Sequence, residues 1–283
     1  MDKDLQQLRR SREKMPNYRE VLELAEKILQ EKHRVKTQWS FPPVVLDPIK
    51  ARIQMQEGFP YLRPDEIPLD PIQTQEYFFR LLGVLKEQNP KRHEDLRKTI
   101  DARGFVFAEY LKHLLGNRVT EMSLEEELGK EGSLLFFFIV QSLKPALEVQ
   151  AASWQRQQKE ISWSQGYCPF CGGLPGMGGI QGEEGKRALH CPFCATEWNY
   201  PRMKCPYCEN EDQEKLTYFQ VEGEVGYRVD ICLNCQHYLK TVDSRERDRS
   251  LDWEVEDYLT LHLDHLAQEE GYTRPARLFA EIR

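Results

Sequence analysis

The sequence predicts an α+β protein in which an all-α N-terminal domain is followed by two small modules, each containing four cysteines, and by a C-terminal helix. The chain has 283 residues, enough for about two domains at roughly 100 to 200 residues each. Apolar residues recur at steps of three and four in its N-terminal half, as in amphipathic helices. All eight cysteines lie between Cys168 and Cys235. We therefore predict a helical domain at 1–163, a cysteine-rich region at 164–250, and a helix and tail at 251–283 that pack on it.

Three segments of the N-terminal domain have helical spacing. In 17–33 one face collects six apolar side chains, those of Tyr18, Val21, Leu22, Ala25, Ile28 and Leu29. Similar spacing occurs at 72–86 and 92–115. Seven of the sixteen prolines lie between Pro42 and Pro71. Because proline lacks an N–H and biases the preceding residue toward extended geometry, this stretch is predicted to be a connecting strap.

The most apolar segment of the chain is Leu134 to Leu143, which has apolar residues on every side. This pattern favours a helix at the centre of a bundle, and a fully buried strand is the alternative. Pro145 is expected to stop or kink the element, after which an amphipathic segment continues to about Glu160.

A further helix is predicted over 251–269, and Gly271 is placed to end it. His262 lies on its apolar stripe and is predicted to be a core histidine. Asp257 and Asp264 lie two turns apart, about 10 Å along the axis, which is too far for a carboxylate pair. We expect both aspartates to be solvated.

Charge and composition exclude several functional classes. The chain has 39 basic and 46 acidic residues, a net charge of −7, and the cysteine-rich region is itself acidic, so a partner recognised through phosphates is disfavoured. The longest apolar run, Leu134 to Val140, is far shorter than a membrane span, and the charged N-terminus has no apolar leader. No H-E-x-x-H or G-x-S-x-G motif occurs. We predict a cytoplasmic protein that is not an enzyme, does not insert into membranes and does not bind nucleic acid.

The cysteines form four C-x-x-C pairs, which we call knuckles. A knuckle aims two sulfurs at one ion, and two knuckles complete a tetrahedral site. The gaps of 19 and 23 residues within consecutive pairs resemble those of known zinc sites. The predicted ligands are Cys168, Cys171, Cys191, Cys194, Cys205, Cys208, Cys232 and Cys235. Consecutive pairing is favoured over a cross-brace, and metal binding over a disulfide framework or thioredoxin-like chemistry.

Four thiolates accept either zinc or a single iron, so the sequence predicts two metal ions, each bound by four cysteines, and leaves their identity open. Zinc would make the sites structural, as in zinc ribbons, whereas iron would make them rubredoxin-like and redox-active. Only the first knuckle carries a glycine after its second cysteine, Gly172. The corresponding residues in the other knuckles are Ala195, Glu209 and Gln236.

Four stretches of the C-terminal half resemble the formate dehydrogenase accessory protein family FdhE. They read CPFCGGLPG, LHCPFCATEWNYPRMKCPYC, CLNCQHYLK and DYLTLHLDHLAQEEGYTRP. The resemblance implies a cytoplasmic bacterial protein with two rubredoxin-like modules, which is needed for active respiratory formate dehydrogenase without being part of the enzyme. It also implies iron binding through the cysteines. Candidates for structural or partner contacts in these stretches are Trp198, Arg202, Tyr238, Lys240, Asp257, Asp264, Tyr272 and Arg274.

The leading hypothesis is an assembly factor for formate dehydrogenase that binds the immature, molybdopterin-containing catalytic subunit through the metal-stabilised region. The first alternative is a rubredoxin-like electron carrier acting during cofactor or cluster maturation. The second alternative is a zinc-ribbon protein that binds nucleic acid, since the aromatic residues among the knuckles could stack on bases. The residues favour no oligomeric state, client surface or maturation step.

Overall fold

The computed structural model describes residues 2–45, 47–116, 121–157, 163–246 and 251–275. The chain forms two compact units. The helical unit contains 5–45 and 63–153, and the sheet unit contains 47–62 and the described residues from Trp154 onward, together with 2–4. The α+β class is confirmed. The predicted division at 163/164 and 250/251 stays a prediction, and residues 247–250 at the second boundary lie outside the described residues.

Eight helices precede the cysteines in the described chain. They are α1 (Asp2–Lys14), α2 (Arg19–Gln38), α3 (Pro48–Gln56), α4 (Pro71–Gln88), α5 (Pro90–Ala102), α6 (Phe107–Leu115), α7 (Glu121–Leu128) and α8 (Lys130–Gln157). The predicted helix at 92–115 is divided into α5 and α6, and Gly104 between them has a positive φ of 62°. A single helix cannot pass through that backbone conformation.

Helix α3 lies inside the stretch predicted to be a connecting strap. Pro48 occupies its first position, and the Asp47 side chain accepts hydrogen bonds from the N–H groups of Ile49 and Lys50. Proline is well tolerated at the first position of a helix, where its missing N–H has no intrahelical partner to lose. Asp70 caps α4 ahead of Pro71 in the same way. These Asp-Pro pairs therefore start helices, and the strap prediction missed α3.

Helix α8 is the predicted apolar element, and it is a helix rather than a strand. It runs through Pro145 without ending, and its buried residues include Phe138, Leu143 and Leu147. By length and composition this helix could cross a membrane. However, 78% of its apolar 18-residue stretch is buried inside the fold. The core helix of a globular domain has this character.

The sheet unit contains one six-stranded sheet in the order β3-β2-β1-β6-β5-β4. Its strands are β1 (Met177–Gln181), β2 (Lys186–His190), β3 (Glu197–Asn199), β4 (Leu216–Phe219), β5 (Tyr227–Cys232) and β6 (His237–Asp243). Strands β1 to β3 form one antiparallel meander and β4 to β6 form another. The two meanders join through β1 and β6, which pair in parallel with Met177 opposite Lys240. The two predicted modules thus share a single sheet.

The predicted C-terminal helix is two helices, α9 (Trp253–Leu259) and α10 (Leu261–Glu269). They meet at Thr260, which is completely buried and has non-helical backbone angles. Leu263 and Ala267 of α10 pack on Val229 and Tyr238 of the sheet. Burial of this apolar face attaches the helices to the strands.

The close approach of α9 to the sheet explains why a glycine is needed at position 179. Strand β1 contains Gly179, and a Cβ there would lie 2.3 Å from the Trp253 ring of α9. Trp253 also stacks on His190 of β2 at a centroid distance of 5.4 Å. Only glycine leaves room for this ring against the strand.

We predict that Gly179→Ala destabilises the protein by about 1 to 3 kcal/mol, because the added methyl group forces the Trp253 ring to move. The control is Gly83→Ala within α4, where no atom lies within 4 Å of the added Cβ and alanine raises helix stability by roughly 0.5 to 1 kcal/mol. Thermal unfolding of the metal-loaded chain measures both. Equal melting temperatures for G179A and the unmodified protein would contradict the packing at β1.

Candidate metal centres

The four knuckles share one backbone turn. In each, the N–H of the residue after the second cysteine donates to the carbonyl of the first, at 2.8 to 3.1 Å. That residue has a positive φ in every case, from 58° to 74°; the four are Gly172, Ala195, Glu209 and Gln236. Among the described residues, the last three are the non-glycine residues with positive φ. This conformation is unfavourable for residues with a Cβ, so the turn imposes it.

Site 1 contains Cys168, Cys171, Cys191 and Cys194. Three of its sulfur pairs are 3.5 to 3.6 Å apart, and each cysteine is at most 1% exposed. A tetrahedral ion with metal–sulfur bonds of about 2.3 Å places its ligand sulfurs about 3.8 Å apart. The four sulfurs therefore fit a single ion.

Site 2 contains Cys205, Cys208, Cys232 and Cys235. Its sulfurs are 3.8 Å apart between Cys205 and Cys235, and 3.7 Å apart between Cys208 and Cys232. These distances also match the tetrahedral separation. The Tyr207 N–H points at the Cys205 sulfur at 3.4 Å, an outer contact of the kind that supports a thiolate ligand. The structure thus groups consecutive knuckles rather than crossed ones.

The crowded thiols have strongly perturbed acidity. Burial opposes ionisation of Cys168, but hydrogen bonds from its three neighbouring cysteines outweigh it and lower its pKa. In the same site, hydrogen bonding to Cys168 is the main effect that raises the pKa of Cys171. Burial raises the pKa of Cys205 in site 2 to about 12. Four thiolates at this spacing repel one another, and a bound cation is the charge that relieves the repulsion.

Each site can hold one ion through four thiolates, the donor set typical of structural zinc and of single iron centres. Four protein ligands fill a tetrahedral coordination sphere, so neither site offers a position for water or substrate. The donor set does not distinguish iron from zinc.

Part of the predicted connecting strap lines the first knuckle. The N–H groups of Tyr61 and Leu62 donate to the carbonyls of Pro169 and Phe170, at 2.8 and 2.9 Å. Phe170 is fully buried and packs against Trp154, with ring centroids 5.4 Å apart. The hydrogen bonds of this pairing join backbone groups alone, so no side-chain motif in the sequence predicts it.

The eight candidates for partner contacts differ in solvent exposure: three are buried, four are half-buried and one is exposed. Trp198, Tyr238 and Lys240 are at most 4% exposed, and the Trp198 indole donates to the Gln165 carbonyl at 3.2 Å. Arg202 is exposed. The remaining four, Asp257, Asp264, Tyr272 and Arg274, are half-buried. A partner role for any of them stays a prediction.

Five of these candidates form one ionic group, which we call the Lys240 cluster: Tyr238, Lys240, Asp257, Asp264 and Arg274. The Lys240 ammonium lies 2.7 Å from Asp257 and 2.5 Å from Asp264. Arg274 lies 2.9 Å from Asp257 and 3.4 Å from Asp264. Tyr238 donates to Asp264 at 2.8 Å. The expectation that both aspartates are solvated was therefore wrong.

The break at Thr260 explains this convergence. The non-helical backbone angles of Thr260 interrupt the helix between Asp257 and Asp264, and the two carboxylates lie within ion-pair distance of the same ammonium. Lys240 also donates to the carbonyls of Asp257 and Thr260, at 2.9 and 3.3 Å, which satisfies groups that the interrupted helix leaves free. Burial alone would raise the pKa of Asp257, but Arg274 and Lys240 outweigh it and hold that pKa well below its ordinary value. This stabilisation is present above about pH 4 and is lost as the pH falls further.

His262 is not a core residue. Its ring is one quarter exposed, and Nε2 lies 2.7 Å from a carboxylate oxygen of Glu224. The pair lies where α10 meets the turn before β5, so His262 has a half-buried carboxylate as its partner.

We predict that Lys240→Met lowers the free energy of unfolding by about 3 kcal/mol, because it leaves buried carboxylate and carbonyl oxygens without their donor. Lys215→Met is the matched control. Lys215 is half exposed and lies 3.9 Å from the Asp212 carboxylate, so we expect a change within about 0.5 kcal/mol. Denaturant unfolding at neutral pH compares them, and equal losses for the two variants would contradict the buried pairing.

We predict that Ala195→Gly raises stability by about 0.5 to 1 kcal/mol, since glycine adopts the positive φ without a steric cost. Gly172→Ala should do the reverse and lose about 1 kcal/mol or more, because its Cβ would also approach Pro60 to 3.3 Å. Thermal unfolding with both metal sites loaded measures the pair. A loss of stability in A195G would refute the shared knuckle geometry.

Comparison with known proteins supports the relationship suggested by the motifs. Residues 167–202 match the family described as "FdhE, central domain", and residues 203–279 match "FdhE, C-terminal domain". The first match contains all four cysteines of site 1, and the second contains all four cysteines of site 2. The boundary between the two matches thus separates the two metal sites.

Relatives extend the similarity over the whole chain. A Protein FdhE homolog of Aquifex aeolicus is 28% identical over 95% of this chain and 90% of its own length. Protein FdhE of Escherichia coli K12 is 34% identical over a shorter alignment, which covers 42% of this chain and 38% of that protein. The crystal structure of the FdhE protein from Pseudomonas aeruginosa superposes with a TM-score of 0.63 at 25% identity, covering 98% of this chain and 94% of that one. Over nearly its whole length the chain is similar to proteins of the FdhE family.

Proposed function

We propose that the protein is a non-catalytic accessory factor for formate dehydrogenase maturation, and that it binds the immature, molybdopterin-containing catalytic subunit in the cytoplasm. Similarity to the FdhE family, which is linked to this maturation, supports the proposal. The observation that carries it is the presence of two four-sulfur sites within the segment that matches the FdhE domains.

The site geometry supports a binding role over a catalytic one. Ions in these sites would cross-link the knuckles and neutralise the thiolates, and metal binding of this kind contributes roughly 10 to 16 kcal/mol per structural site. With the knuckles cross-linked, the sheet and the helices packed on it are held in one arrangement. A surface kept rigid in this way is suited to recognising a folded partner.

The accessible candidates are the better docking residues. Arg202 is exposed, and Tyr272 and Arg274 are half-buried. The guanidinium of Arg274 also donates to the Gly176 carbonyl, so its substitution would disturb the fold. Arg202 is therefore the residue whose charge can be changed with least effect on packing.

The proposal predicts that tagged formate dehydrogenase catalytic subunit captures this protein, and that the double change Cys168→Ser, Cys171→Ser reduces capture at least tenfold. We expect Arg202→Glu to weaken capture while metal content stays at two ions per chain. Arg97→Glu on α5 is the matched charge reversal in the helical unit, and it should capture normally. Full enzyme maturation in a host carrying only the double cysteine variant would overturn the role of the metal sites.

A second candidate function is electron transfer by a rubredoxin-like centre. The observation in its favour is that Cys208 and Cys235 of site 2 are half-buried rather than enclosed, which brings an ion there near the surface. This role requires iron. Protein purified without air should then be red when oxidised and colourless when reduced, and a colourless zinc protein from that preparation would eliminate it.

A further inference from the structure

The two four-sulfur sites differ in how well the fold covers them. All four cysteines of site 1 are at most 1% exposed. In site 2, Cys205 and Cys232 are 3% exposed, but Cys208 and Cys235 are half-buried and reach solvent. Each half-buried cysteine is the second of its knuckle, so the two together open one side of site 2.

Site 1 is enclosed by packed groups of the sheet unit. Pro60 lies over Gly172, and the backbone of Tyr61 pairs with the first knuckle at 2.8 Å. Tyr61 in turn stacks on Trp154 with centroids 5.8 Å apart. A competing ligand can reach these sulfurs only after this segment has moved, which requires several contacts to break together.

The cover of site 2 is thinner. Leu233, inside the fourth knuckle, is 46% exposed. Beside it, the exposed Asn234 amide points at the Cys208 sulfur at 3.6 Å. Exposed side chains on a turn rearrange without unfolding the sheet, so a small ligand can approach the outer two sulfurs directly.

We propose that site 2 is an exchangeable metal site that opens through Cys208 and Cys235, whereas site 1 retains its ion for as long as the protein is folded. Exchange is a ligand substitution with no change of oxidation state. A metal–sulfur bond to one outer cysteine breaks, a donor atom of the incoming ligand bonds to the metal, and the released thiolate takes a proton from water. The incoming ligand is a chelator; a competing soft divalent ion would instead bond to the released thiolate. The inference goes beyond the proposed function because it requires no client protein.

The test uses the full chain loaded with two zinc ions, challenged with excess 4-(2-pyridylazo)resorcinol, which changes colour on binding zinc. We expect one ion per chain to leave at least tenfold faster than the other, while circular dichroism of the sheet and helices stays unchanged. Loss of both ions at one rate, or loss of structure during the fast phase, would overturn the proposal.

A second measurement identifies the sites without any substitution. Brief alkylation of the zinc-loaded protein by iodoacetamide, followed by mass spectrometry of its peptides, should label Cys208 and Cys235 at least tenfold faster than Cys168 and Cys171. Earlier labelling of the site 1 pair would refute the assignment, even with biphasic zinc release.

Cysteine variants then show which site releases its zinc in the fast phase and which in the slow phase. Cys235→Ser should abolish the fast phase and leave one slowly released ion, whereas Cys194→Ser should abolish the slow phase. Retention of the slow ion in a folded C194S protein would contradict the assignment. Capture by the formate dehydrogenase subunit is a separate readout, so failure of client binding and failure of this proposal are distinguishable.

Discussion

The repulsion among four closely spaced thiolates is the constraint on which the C-terminal half depends. Sulfurs 3.5 to 3.8 Å apart are compatible with full ionisation only around a cation. Each cluster joins two turns at the ends of a three-stranded meander, which by itself would bury little apolar surface. The coordinated ion therefore substitutes for the core that such a small module lacks.

Joining the two meanders into one sheet solves a second problem of small β modules, their exposed edges. The parallel pairing of β1 with β6 removes two of four edges. It also creates a surface wide enough for two helices: Trp253 of α9 packs on Met177 and Val242, and α10 covers Val229 and Tyr238. The Lys240 cluster then links these helices, because one ammonium contacts both the carbonyls at the helix break and the two carboxylates.

How far the sequence predicts this structure depends on the range of the interactions. The grouping of cysteines follows from local spacing, and the apolar character of α8 follows from composition, so both were accessible. The Lys240 cluster was not, because an uninterrupted helix would hold Asp257 and Asp264 apart, and no proline or glycine marks the interruption at Thr260 in the sequence. Helix α3 was missed for a local reason: the proline-rich stretch was predicted as a connecting strap, whereas Pro48, after Asp47, occupies a helix start.

The knuckle glycine shows how local and tertiary requirements combine at one position. All four knuckles demand a positive φ, and Ala195, Glu209 and Gln236 meet the demand at exposed positions, where a side chain projects into solvent and the cost is backbone strain alone. Gly172 is buried beneath Pro60, so a side chain there would add a collision to the strain. Glycine is thus needed where the covering segment packs on a knuckle, and its absence elsewhere reflects open space rather than a weaker metal site.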